Sequence, residues 1–176
     1  MWVARTENGY LFGEMPKHAV ETLRAIPMLI ESSDERVRSR LLPETYEDAE
    51  EEASWRDHAT PELERLFLSR AHLVQRDLDT IQRMEDGSDS WMLLISNQHV
   101  NAWLSSLNAA RLALYVLNDM AEEHMARGGM AKATPKQQEA ILRIHFMAEM
   151  QGVLMGEGFD PDEDEVAKGP TEPDHG

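Results

Sequence analysis

The chain has no cysteine. This removes a disulfide framework and any thiolate nucleophile or thiolate metal ligand, and it fits a reducing compartment. No apolar run approaches the roughly eighteen residues that a membrane-spanning helix needs. The opening stretch MWVARTENGY also lacks the basic-then-apolar pattern of a secretory signal. The expected location is the cytoplasm, with no membrane partner. Basic residues are scarce: 17 Lys and Arg stand against 33 Asp and Glu, a formal net charge of −16. Residues from Glu157 onward carry −7 of this and leave −9 on the body. Non-specific binding to DNA or RNA draws on Lys and Arg displacing phosphate counterions, so nucleic acid is not an expected partner. The one basic cluster, Arg36, Arg38 and Arg40, is expected to be neutralised by the acidic run that follows it.

Catalytic signatures are missing as well. No nucleophile elbow, phosphate loop or dinucleotide fingerprint occurs. A di-iron bundle places Glu and His three residues apart on one helix face; only Glu172 and His175 meet that spacing, and they lie in the acidic tail. His145 and Glu149, four apart, read as ordinary helix-surface chemistry. Asp160, Asp162 and Asp164 resemble the start of a calcium loop. Glu165 and Thr171, however, stand where that loop needs glycine and glutamate. No cofactor or metal is expected.

What the chain does have is helical periodicity. Its 176 residues are enough for one domain with a real core. Asn8-Gly9, between Trp2–Glu7 and Tyr10–Glu14, predicts a hairpin with a two-residue type I′ turn. A hairpin alone is marginal, and Trp91–Ile95 is the expected third strand. A first helix is expected from Pro16 to Ser32, kinked or divided at Pro27. A second runs from Asp34 to Leu42 and stops before Pro43; an acidic helix then starts near Glu47. Thr60-Pro61 and Thr134-Pro135 each read as an N-cap followed by proline in the first turn. Between them, Ser96 is expected to cap a long helix that continues to Arg127, where Gly128-Gly129 ends it. Met147, Met150 and Met155, at helical spacing, read as core. The resulting fold class is mainly α: five to six helices with a small antiparallel β-sheet, one domain over residues 1–156, and a solvated, disordered acidic tail over 157–176.

One residue breaks the pattern. Trp103, Leu107, Ala110, Leu114, Leu117 and Ala121 form one stripe of the long helix. Arg111 lies about 40° from Leu107 and about 20° from Leu104 on the helical wheel. A guanidinium that cannot shed its charge thus sits against the apolar stripe. It either bridges to a carboxylate on a neighbouring segment, such as the Glu44–Glu52 run, or anchors the carboxylate of a ligand or partner. Asn108, one turn earlier, and Tyr46 complete the candidate binding set.

Three segments, ARTENGYLFGEM, RLLPETYEDAEEEASWRDHATPEL and NAWLSSLNAARLAL, resemble in their order a bacterial family known as domain of unknown function 2017. The likeness is carried by Gly9-Tyr10, by Leu41, Pro43, Tyr46 and Asp48, and by Trp103, Leu104, Leu107, Asn108, Arg111 and Leu112. It covers residues 1–155, while the segment Ala126–Ala133 and the acidic tail depart from the family pattern. The resemblance implies no activity and supplies no catalytic residue. It does imply an association with the adaptor of the Clp protease, hence with regulated proteolysis, and a transcriptional-regulator label that an acidic chain fits poorly. The expected function is a non-enzymatic protein-interaction adaptor or regulator with a protein partner. The alternative is an anionic small-molecule sensor or unrecognised enzyme centred on Arg111. Homodimerisation through the long helix stays open.

Overall fold

A computed structural model of the chain describes residues 1–85 and 89–157. The acidic tail expected from 157 therefore falls, from 158 on, outside the described residues. The fold is mainly helical. Among the described residues there are seven α-helices of five residues or more, where the sequence leads to five or six, and a four-stranded antiparallel sheet. The strands are β1 (Trp2–Thr6), β2 (Gly9–Pro16), β3 (Gln82–Arg83) and β4 (Ser90–Ser96), in the order β1-β2-β4-β3. The helices are α1 (Lys17–Arg24), α2 (Ile26–Ile30), α3 (Glu35–Leu41), α4 (Ala49–His58), α5 (Thr60–Leu78), α6 (Val100–Leu117), the single turn α7 (Glu122–Met125) and α8 (Pro135–Leu154).

Hairpin and third strand form as the alternation predicts, but the turn is shifted. Thr6 pairs with Gly9, so the two loop residues are Glu7 and Asn8. Neither has a positive φ, which rules out a type I′ turn. A contact remote in sequence holds the turn: Asn97 donates its backbone N–H to the Asn8 carbonyl and its side-chain amide to the Glu7 carbonyl, both at 2.9 Å. Further along, Phe12 pairs with Leu93 and Met15 with Trp91. Two residues of β2 thus face one of β4, which is a β-bulge, and Glu14 adopts φ 50° within it. The extra residue resets the alternation, so that Phe12 and Met15 both point inward and are fully buried. Trp2 lies across Gly13, where a Cβ would fall 2.1 Å from the indole ring. The inner face of the sheet packs on α1 and α5.

The central element is α6, which meets α2, α3, α5 and α8. Trp103, Leu107, Ala110 and Leu114 of its stripe are buried, while Leu117 and Ala121 are only partly covered. The helix ends ten residues earlier than its periodicity suggests. Asn118 donates its amide to the Leu114 carbonyl, and Asp119 turns into the left-handed region at φ 49°. The freed carbonyls of Leu117, Asn118 and Asp119 are met by Lys136 and Gln137 from the first turn of α8. That tertiary cap makes stopping at Leu117 favourable. Met120 can then join Ala133 and Ile141 in a small second core.

At the N-terminus of α6 the capping residue is His99, not Ser96, which is the last residue of β4. α5 likewise starts without a side-chain cap. Its N-cap position is Ala59, already helical in conformation, because α4 runs almost directly into α5. The other starts follow the local sequence. Asp34 caps α3, Asp48 caps α4 through the N–H groups of Glu50 and Glu51, and Thr134 forms a reciprocal capping box with Gln137. Pro27 sits in the first turn of α2 and separates it from α1. On α8, Met147 and Met150 are core, whereas Met155 is 64% exposed.

Candidate functional site

Arg111 does not meet a carboxylate. Its Nη1 donates to the side-chain oxygen of Gln151 on α8, and the Gln151 amide in turn donates to the Leu104 carbonyl at 3.1 Å. Among the described residues no acid lies within ion-pairing distance of Arg111, and its Nε is buried with no hydrogen-bond partner. The expected bridge to the Glu44–Glu52 run is therefore absent. Asn108 is exposed one turn earlier on α6. Tyr46 stands on the segment leading into α4, in a cavity that neither Arg111 nor Asn108 lines. The three candidate binding residues do not converge.

Arg111 is half-buried, and its one protein partner is a neutral amide while its Nε is buried without any. Arg111→Met is therefore expected to leave thermal stability unchanged or raise it by up to about 2 kcal/mol, since the unpaired Nε disappears while the apolar stem is replaced. Urea melts of the full chain would check this. A loss of several kcal/mol would mean that the guanidinium has a stabilising partner besides Gln151.

Two of the three arginines of the basic cluster are paired, though not with the acidic run after it. Arg36 pairs with Asp34 and Asp119, both at 2.8 Å, and Arg38 pairs with Glu64 of α5 at 2.7 Å. The Glu44–Glu52 run instead holds Arg56 of its own helix, through Glu52 at 2.8 Å and Glu44 at 3.6 Å.

A polar cluster that the sequence reading passed over joins α5 to α6. Asp77 accepts the Trp103 indole N–H at 2.8 Å and meets His99 Nδ1 at 2.9 Å through both oxygens. Trp103 is fully buried and the Asp77 side chain is 13% exposed. Asp77 lies about 60° from Val74 on the helical wheel, at the edge of the buried stripe of α5. A charge at the edge of an apolar stripe is a weaker form of the signal that singles out Arg111, and the sequence reading did not follow it.

α4 and the first half of α5 form an arm joined to the body through Phe67, which packs on the core, and Glu64, which pairs with Arg38. No residue of α4 is buried, and the buried residues of α5, Ala71, Val74 and Leu78, all lie in its second half. Leu66 and Leu68 are exposed along the arm. Between residues 44 and 64 the chain carries nine carboxylates against a single arginine. Glu52 fixes the approach to the arm by accepting the backbone N–H groups of Tyr46 and Thr45, both at 2.9 Å. Those two bonds, with Arg56 beside them, hold the Glu52 carboxyl below the ordinary glutamate range. The Tyr46 ring then meets Trp55 edge-on, with centroids 5.9 Å apart. Around that pair lies an open concavity of about 520 Å³ lined by Tyr46, Glu51, Ser54, Trp55, His58 and Ala59. Trp55 and its neighbours were legible only as part of an acidic helix, with no spacing to single them out.

Among the described residues no group of three His, Asp or Glu side chains is arranged to hold a metal ion, and no helix is long and apolar enough to cross a membrane. Residues 11–158 match the family model described as Domain of unknown function (DUF2017), and the chain belongs to that family. The match starts just after Gly9-Tyr10, and its bounds enclose the segment 126–133 and α8. No curated protein and no solved structure matches the chain.

Proposed function

We propose that the protein is a non-enzymatic interaction module, an adaptor or regulator that docks on another protein through the α4–α5 arm. The observation that carries this reading is a helix of ten residues with none of them buried, entered through a clamped turn and carrying acids near the Tyr46 and Trp55 rings. Such a helix adds little to the body's own core, and its acidic field favours a basic partner by steering encounter. A role in regulated proteolysis is one form such an adaptor takes, and the partner's identity decides it.

The test is affinity enrichment of the tagged full chain from source-cell lysate at physiological salt, beside a Glu47→Lys/Glu50→Lys/Asp57→Lys variant. The three residues are exposed, so the body keeps its fold. The expected result is one reproducible basic partner, near one-to-one, lost at high salt and lost by the variant. Equal recovery by both proteins, or recovery of nothing, overturns the reading.

The second reading, an anion sensor or enzyme centred on Arg111, retains one observation in its favour, the unpaired Nε. With Asn108 and Tyr46 placed apart from it, a site there would have to be built from Arg111 and Gln151.

A further inference from the structure

We infer that the concavity on α4 is a seat for one arginine side chain of the docking partner. The inference rests on the arm being the docking surface and names the group it recognises. Three features of the concavity match a guanidinium. Tyr46 and Trp55 meet at an interplanar angle of 66°, so their rings form two walls of a corner open to solvent. An aromatic face attracts a cation through its quadrupole, and a planar guanidinium can also stack on it.

His58 provides the second feature. Its Nδ1 lies 2.8 Å from the Ser54 carbonyl, which only accepts, so Nδ1 carries the proton and donates. In the neutral imidazole Nε2 is then an acceptor, and His58 lines the concavity together with Glu51. Two acceptors, one of them a carboxylate, suit a group with five N–H donors and no acceptor.

The third feature is the sign of the surroundings. Residues 44–64 carry nine carboxylates against Arg56, which is taken by Glu52 and Glu44, and the next arginine of the arm, Arg65, is paired with Glu62 at 2.7 Å, so neither cation is left to fill the seat. An anionic ligand is repelled there, and a neutral apolar one leaves Glu51 and His58 unmatched.

The probe is the blocked pentapeptide Gly-Gly-Arg-Gly-Gly, compared with the same peptide carrying lysine or the neutral isostere citrulline. Each is titrated into the isotopically labelled full chain and followed by NMR. The Trp55 indole N–H signal is identified by its loss in Trp55→Leu. The arginine peptide is expected to move that signal saturably, with citrulline at least about fivefold weaker and lysine between them. Trp55→Leu and Glu51→Gln should each weaken arginine binding by a similar factor. Neither change touches the core, because α4 contributes no buried residue.

Shifts spread along α4 and α5, with equal affinity in Trp55→Leu, would overturn the seat while leaving the arm as a docking surface. No saturable shift with the arginine peptide would overturn the seat as well. The charge-reversal capture experiment, which does not depend on Trp55, would then judge the arm alone.

Discussion

Gly9→Ala is expected to lower stability by about 3–5 kcal/mol. Gly9 has φ 150°, and a Cβ built there falls 2.0 Å from the Ile95 carbonyl oxygen and 2.8 Å from the Ser96 Cα. Both obstacles are backbone atoms of β4, paired to β2 at this very position. They cannot swing aside as a side chain would, so relief requires the two strands to part where the turn is pinned by Asn97. Against a total stability of about 5–15 kcal/mol the loss is severe, and it corresponds to a fall in melting temperature of roughly 10 °C or more. Gly128→Ala is the comparison. Gly128 also has a positive φ, 82°, but nothing lies within 4 Å of its added Cβ. It should cost only about 1–2 kcal/mol, the conformational term alone. If circular dichroism finds the two variants melting together, the close strand approach at Gly9 is not a constraint.

Gly9 also shows where local sequence stops being informative. Asn8-Gly9 marks a turn, and a turn is there, but the hydrogen bonds from Asn97 choose which two residues form it. The caps expected at Thr60 and Ser96 are not made. Some of what depends on adjacent residues was legible, such as the proline that divides α1 from α2 and Thr134 as the cap of α8, and so was β4 as the strand beside the hairpin. Whatever depends on a partner far along the chain was not. β3 has two residues and exists because β4 offers an edge at Met92 and Trp91. The end of α6 is set by Lys136 and Gln137, nearly twenty positions downstream. Arg111 was recognisable as misplaced on an apolar stripe, yet its partner is forty residues away and neutral, and no spacing rule selects Gln151 over a carboxylate. The arm gave even less, because an acidic helix reads the same whether it lies against a body or stands away from one.

Asp77→Ala is the second large effect, an expected loss of about 3 kcal/mol. The carboxylate receives a donor that cannot reach water, the indole N–H of a tryptophan with no exposed surface. Removing the acceptor therefore costs both the charge-assisted bond and the desolvation of an orphaned donor. It also removes a negative charge from the first turn of α6, where His99 and the following backbone N–H groups have no capping side chain. Trp103→Phe separates these contributions, since it deletes the donor while keeping most of the ring. The double-mutant cycle should show a coupling of about 1–2 kcal/mol between the two positions. A coupling near zero would mean that Asp77 acts on His99 and the helix end alone. The same pair bears on the proposed function. α5 carries the arm at its N-terminal half and is fastened at its C-terminal half, with Asp77 joining it to α6 while Ala71, Val74 and Leu78 pack into the core. Loosening that fastening should lower the global melting point and still leave the Tyr46–Trp55 corner intact, because the corner is built from Glu52, Thr45 and α4 itself. Asp77→Ala should thus shift the urea midpoint without changing the affinity of the arginine peptide. A joint loss of both would show that the seat depends on how α5 is held against α6, which would make the arm part of the body rather than a separate docking surface.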